Sequence, residues 1–255
     1  MKKLGLIGYP LSHSFSKKYF SKKFKEEGIE GFEYELYPIA SIEEFPQLLE
    51  RHPDLVGLNV TIPYKEQVIP YLDAIHVEAR DIGAVNTIKI SDGKLTGFNS
   101  DVYGFEESLK KLLTNSEKGD ENKLPVSQGL VLGTGGAAKA VLYILQKLNI
   151  HPLVISRTKG KGDLTYQDID KKLIENSKLI INTTPLGMSP KTETFPQIPY
   201  EYLTSKHFLY DLVYNPEKTL FLKKGADKNA KTINGQKMLV LQAEKSWEIW
   251  NSRDL

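Results

Sequence analysis

The segment Gly133-Thr134-Gly135-Gly136-Ala137-Ala138 has the residue types and spacing to hold a pyrophosphate. It follows a short β-rich run and opens a helical one. In that context a glycine turn aims backbone N–H groups and the positive end of a helix at phosphate oxygens. Gly133 permits the tight turn, Gly135 lets a phosphate approach the backbone, and the small Ala138 lets the helix press on the sheet. The end of the next strand selects the cofactor. A NAD site usually carries an acid about 20 positions on, which accepts from the ribose 2′-hydroxyl. Here the stretch reads Ser156-Arg157-Thr158-Lys159, with no carboxylate, and offers a guanidinium, a hydroxyl and an ammonium to a 2′-phosphate. The expected cofactor is NADP(H), exchanging hydride with a small polar substrate.

A second polar group lies in the first half of the chain. Ser12 and Ser14 follow Pro10 in a turn. Asn59, Thr61 and Lys65 stand at and beyond the end of a strand that Pro63 stops, and alternation puts Asn59 and Thr61 on one face. Asn86 and Asp101 each come near the end of a β run. Taken singly, each has an ordinary explanation: serines cap helices, Asn and Asp make turns, and a lone Lys is solvated. The histidines at 13, 52, 76, 151 and 207 lack ligand spacing, so no metal is expected.

The elements that must position these groups alternate. Strands are expected over 4–8, 32–39 and 56–62, with helices over 15–27 and 42–51 between them; Phe15, Tyr19, Phe20 and Phe24 mark an apolar stripe. Asp92-Gly93 predicts a hairpin joining 84–90 to 94–99. A helix follows over 101–113, with Asp101 placed to cap its start, and then a polar linker over 114–128. Beyond it, strands at 130–132, 153–156, 179–182 and 208–213, with a helix over 137–148, predict a parallel sheet covered on both faces. The last helix spans 235–251.

The fold class is therefore α/β in two domains. A substrate domain over 1–101, rejoined by 236–255, is expected beside a Rossmann domain over 102–235, with substrate and cofactor on opposite walls of the cleft between them. The 255 residues suffice for two modest cores. A net charge of +2, from 34 basic and 32 acidic side chains, gives no field for nucleic acid or membrane. Cysteine is absent, which excludes disulfides and thiolate catalysis. The N-terminal apolar run is cut by Tyr9-Pro10, too early for a signal peptide, so a cytoplasmic protein is expected.

Seven segments together resemble the shikimate dehydrogenase family. They are Gly8-Tyr9-Pro10-Leu11-Ser12-His13-Ser14, Asn59-Val60-Thr61-Ile62-Pro63-Tyr64-Lys65, Gly83-Ala84-Val85-Asn86-Thr87 and Gly97-Phe98-Asn99-Ser100-Asp101. Asn182-Thr183-Thr184-Pro185-Leu186-Gly187-Met188, Asp211-Leu212-Val213-Tyr214-Asn215-Pro216, and Gly235-Gln236-Lys237-Met238-Leu239 with Gln242 complete the set. The family's usual Asn-Arg-Thr reads Ser156-Arg157-Thr158 here, its Asn-Ala-Thr-Pro reads Asn182-Thr183-Thr184-Pro185, and the linker is lengthened.

The resemblance implies reversible reduction of 3-dehydroshikimate to shikimate with NADPH, in aromatic amino-acid biosynthesis. It implies Lys65 and Asp101 as the catalytic pair, and Ser12 and Ser14, aided by Tyr214, as the carboxylate site. Asn59, Thr61, Asn86 and Gln242 would read the ring hydroxyls. Residues 133–137 would take the pyrophosphate and 156–159 the 2′-phosphate, while Met188, Leu212 and Gly235 would line the nicotinamide. Such an enzyme would act as a monomer or homodimer. Two alternatives stay open: a quinate/shikimate dehydrogenase with relaxed substrate or NAD use, and a nucleotide-binding regulator without catalysis. Retention of Lys65 and Asp101 speaks against the regulator.

Overall fold

The computed structural model describes residues 1–11, 14–114 and 124–252. Its contacts divide the chain into two compact units, Met1–Asp101 with Gln242–Leu255, and Val102–Leu241. Of the expected linker over 114–128, residues 115–123 lie outside the described residues, as do Ser12 and His13.

The first unit runs β1 (Lys2–Gly8), α1 (Phe15–Glu26), β2 (Phe32–Pro38), α2 (Phe45–Arg51), β3 (Leu55–Val60), β4 (Ala74–Ile75), α3 (Val77–Ile82), β5 (Thr87–Ser91) and β6 (Lys94–Phe98), then enters α4 (Ser100–Thr114). Its strands lie in the order β2-β1-β3-β5-β6-β4. β1 pairs in parallel with β2 and β3, whereas β5 is antiparallel to β3 and β6. The Asp92-Gly93 hairpin forms: both residues take positive φ, 51° and 74°, which matches the twist of the flanking strands. Two cores flank the sheet. Leu4, Leu6, Phe20, Phe24 and Tyr34 fill one, and Ile7, Phe45, Leu58, Val60 and Ile88 belong to the other.

The second unit continues with β7 (Gln128–Leu132), α5 (Gly136–Lys147), β8 (His151–Ser156), β9 (Leu164–Thr165), α6 (Lys171–Asn176), β10 (Leu179–Asn182), β11 (Phe208–Asp211), α7 (Leu220–Ala226) and β12 (Lys231–Ile233). These strands form an all-parallel sheet, ordered β12-β11-β10-β7-β8-β9. β10 and β11 are buried along their whole length, as parallel strands covered on both faces require.

The final helix, α8 (Gln236–Asn251), begins in the second unit and returns to the first at Gln242. Trp250 anchors it: the indole Nε1 donates to Ile88 O at 3.0 Å, and the ring lies against Gly57. A Cβ on Gly57 would stand 2.3 Å from that ring, so the mid-strand glycine is a seat for the tryptophan.

Several expected elements differ; the strand expected from 84 begins only at Thr87, and the one expected to reach 62 ends at Val60. Residues 42–51 are not one helix: Ile42–Glu44 form a 3-10 turn, and Pro46 stands in the first turn of α2, where its missing N–H costs no helical bond. The strand at 208 ends at Asp211, whose side chain bonds the loop beyond it. At the start of α4, Asn86 Oδ1 accepts the Ser100 N–H at 2.6 Å, while Asp101 Oδ2 turns to Lys65.

Candidate active site

Lys65 follows β3 in a turn fixed on both sides. Tyr64 is buried and donates its hydroxyl to Ile39 O at 2.7 Å, and Lys65 O accepts Val85 N–H at 2.7 Å. The Lys65 Nζ lies 2.6 Å from Asp101 Oδ2, both side chains being partly shielded, at 30% and 19% exposure. This is an ion pair held within reach of solvent and ligand, able to pass a proton at the ammonium.

The loop between α3 and β5 joins the two members of the pair. Gly83 ends α3 in the left-handed region, at φ 70°. Val85 N–H then binds Lys65 O, Asn86 N–H binds Phe98 O, and Asn99 Nδ2 donates to Ala84 O at 2.9 Å. Asn86 Oδ1 holds the first amide of α4, one residue before Asp101.

Beneath the pair lies a buried polar seam. Asn59 Oδ1 accepts the Tyr34 hydroxyl at 2.8 Å, and its Nδ2 contacts Asn86 O, Thr87 Oγ1 and Ser246 Oγ. Ser100 Oγ accepts from Asn86 Nδ2 at 3.0 Å and reaches Gln242 Oε1 at 3.4 Å. Thr61 lies just past β3; its N–H still bonds Ile7 O, so the strand alternation that places it with Asn59 holds one residue further. Ser14 caps α1, its hydroxyl accepting from Lys17 N at 3.3 Å. Ser12 lies outside the described residues.

The second unit carries the glycine turn. Residues 134–137 are exposed, and Ala138 is buried against the sheet. Gly133 adopts φ +114°, where a Cβ would meet Thr183 Oγ1 at 2.7 Å, so only glycine fits. Gly135 and Gly136 have open space where side chains would be, and no side chain caps α5. This cradle of free space at a helix N-terminus without a side-chain cap fits a pyrophosphate. Beyond β8, Arg157, Thr158 and Lys159 are exposed. Ser156 is buried, and its hydroxyl accepts Thr158 N–H at 3.1 Å, which shapes the turn that carries the two cations.

Two further loops are braced from below. Asn182 and Asp211 end β10 and β11, and both are fully buried. Asn182 Oδ1 accepts from Thr184 N–H and hydroxyl, while Asp211 accepts from Thr219 Oγ1 at 2.6 Å, Val213 N at 3.0 Å and Asn182 Nδ2 at 2.9 Å. Burial pushes the Asp211 carboxyl up to about 6 against the pull of these donors. The loops so held carry Met188, Leu212 and Tyr214; Met188 and Tyr214 are exposed. Gly235 is packed on this brace, a Cβ there standing 2.1 Å from Leu212 O.

The structure thus brings Lys65, Asp101, Asn86, Asn59 and Gln242 together in the first unit, and gathers the glycine turn, the basic turn, Leu212 and Gly235 on the second. Single-residue reasoning passed over Thr87, Ser100 and Ser246, and gave Asn182 and Asp211 no role of their own. The signal available for the last two was a polar residue closing an otherwise apolar strand. Among the described residues, no group of three or more His, Asp or Glu could hold a metal ion, and no helix is long and apolar enough to cross a membrane.

Residues 6–88 match the sequence model of the shikimate dehydrogenase substrate binding domain. A shikimate dehydrogenase (NADP(+)) of Clostridium beijerinckii is 41% identical, the match covering 98% of this chain and 92% of that one. A shikimate dehydrogenase crystallised in complex with NADP+ superimposes with a TM-score of 0.85 at 33% identity, over 98% of this chain and 90% of its own. The enzyme of Thermus thermophilus, in complex with NADP(H) and shikimate, gives 0.84 at 29% identity over 98% and 94%. A shared architecture at this level of identity, sustained through both units, makes the chain a member of the shikimate dehydrogenase family.

Proposed function

We propose that the chain catalyses the reversible, NADP-dependent reduction of 3-dehydroshikimate to shikimate, an oxidoreductase step of the shikimate pathway. The observation that carries this reading is the Lys65–Asp101 ion pair at 2.6 Å, a pair able to move a proton, in the unit whose residues 6–88 match that family's substrate binding domain. Bound NADPH supplies the hydride. Lys65 gives the proton to the carbonyl oxygen, and in the oxidative direction takes it from the hydroxyl. Asp101 holds the ammonium in place and accepts from a ring hydroxyl.

Ser12 and Ser14 bind the substrate carboxylate with Tyr214, and Thr61, Asn86 and Gln242 bond the ring hydroxyls, with Asn59 in the same set. Buried partners of this kind discriminate strongly, because an analogue lacking a hydroxyl leaves them unpaired. On the second unit, residues 133–137 take the pyrophosphate, and Arg157, Thr158 and Lys159, on a turn that Ser156 shapes, take the 2′-phosphate. Leu212, Met188 and Gly235 flank the nicotinamide. The enzyme works in the cytoplasm, as a monomer or homodimer, without nucleic acid.

The test is nicotinamide absorbance with shikimate or quinate as substrate and NADP or NAD as acceptor. Turnover mainly with shikimate and NADP is expected. Turnover with quinate or NAD would overturn this specificity, and NADP binding without turnover in any combination would favour a regulator.

A further inference from the structure

We propose that Ser246, on α8, is a positioning residue of the substrate site: its hydroxyl locks Asn59, Thr87 and Ser100 into the arrangement that aims Asn86 and seats Asp101. This role presupposes the shikimate reading.

Ser246 is fully buried, and four polar groups converge on its Oγ. Gln242 O and Asn59 Nδ2 lie at 2.9 Å, Thr87 Oγ1 at 2.9 Å and Ser100 Oγ at 3.1 Å. A hydroxyl has one hydrogen and two lone pairs. Donation to Gln242 O uses the hydrogen, so Ser246 must accept from Asn59 and from one of the two neighbouring hydroxyls. Asn59 is then fixed in orientation by protein partners, which leaves a ligand hydroxyl the second lone pair of its Oδ1. Its Oδ1 takes Tyr34, one amide hydrogen goes to Ser246, and the other points at Asn86 O and Thr87 Oγ1.

The same constraint reaches Asn86. Its Oδ1 accepts Ser100 N–H at 2.6 Å and Thr87 Oγ1 at 3.1 Å, and one Nδ2 hydrogen goes to Ser100 Oγ at 3.0 Å. Flipping this amide would set an NH2 against a backbone N–H, so the orientation is fixed. The group Asn86 can offer a ligand is its other amide hydrogen. A ring hydroxyl bound there must accept from Asn86 and give its own hydrogen elsewhere, to a carboxylate such as Asp101. Without the Ser246 hydroxyl, Asn59, Thr87 and Ser100 each lose a partner, and the two hydroxyls that grip the Asn86 side chain lose the anchor that sets their own placement.

Wild-type turnover with shikimate and NADP is measured first; its absence overturns the catalytic reading and this role with it. With an active wild type, Ser246→Ala is expected to raise KM for shikimate about tenfold, the scale of one lost hydrogen bond, while KM for NADP is unchanged. Ser246→Cys, close in shape but a weak hydrogen-bonding group, should do the same, and Ser246→Thr, which keeps a hydroxyl, should move KM back toward wild type. Ile42→Val, a core truncation in another part of the unit, serves as the destabilised control and should leave both KM values alone. A shikimate KM for Ser246→Ala and Ser246→Cys within twofold of the Ile42→Val value would overturn the proposal by itself, reducing Ser246 to a packing residue.

Discussion

Asn182 and Asp211 are register partners at the ends of adjacent parallel strands, and the amide of the first donates to the carboxylate of the second at 2.9 Å. Burial holds the Asp211 carboxyl near 6, above its ordinary 3.8. A group whose folded value is raised contributes stability that is fully present below the unfolded value and lost as pH rises through the folded one. Asn fits the site, with its oxygen toward Val213 N–H and its amide toward Thr219. The gap in thermal midpoint between wild type and Asp211→Asn should therefore shift in favour of wild type as pH falls from 7 to about 4. His207, lowered by burial, acts with the opposite sign but is common to both proteins. A gap that stays flat across this window would show that the carboxyl titrates as it does in the unfolded chain.

Replacing Lys65 by Ala should remove most of kcat, by about 100- to 10,000-fold, with little change in KM for shikimate. Asp101→Asn should also lower kcat, since its neutral amide no longer holds the ammonium. Steady-state kinetics decides: a large rise in KM with kcat preserved would make Lys65 a binding group.

Gly135 and Gly235 should separate binding from stability. Gly135 has an ordinary extended φ and nothing within 4 Å of a Cβ, so Gly135→Ala should keep the thermal midpoint yet weaken NADP about tenfold by crowding the phosphate approach. Gly235→Ala drives a methyl into Leu212 O and should lower stability by roughly 1–3 kcal/mol as well as weakening NADP. Denaturation and cofactor titration of both variants check this; equal losses of stability would sink it.

Arg157→Ala should raise KM for NADP by about 10- to 100-fold, the value of a charge-assisted pair, and leave KM for NAD within about twofold. Parallel loss with both cofactors would move the 2′-phosphate contact to another residue.

What the residues disclosed depended on how local the determinants were. The Asp92-Gly93 turn, the apolar stripe of α1 and the glycine turn before α5 are short-range patterns, and each produced the expected element. α3, α6 and α7 span six or seven residues, too short for a 3.6-residue period to declare itself. β4, β9 and β12 have two or three residues and exist through their neighbours. Within the site, the polar residues of the first half stood out by type, but the partners that decide their task did not. Asn59 could not be told from a surface turn residue without Ser246, which is 187 positions away. Gly57 gave no sign of being a seat, because Trp250 arrives from the far end of the chain.

That separation also dictates an order of events on the ribosome. Asn59, Asn86 and Ser100 emerge early, followed by the whole of the second unit, and Ser246 and Trp250 emerge only afterwards. The nascent substrate domain must wait with its polar seam open and Gly57 uncovered, while the continuous nucleotide unit can mature ahead of it. A stalled chain released at Leu241, part-way along α8, would thus hold a complete cofactor half and a substrate half that cannot yet close.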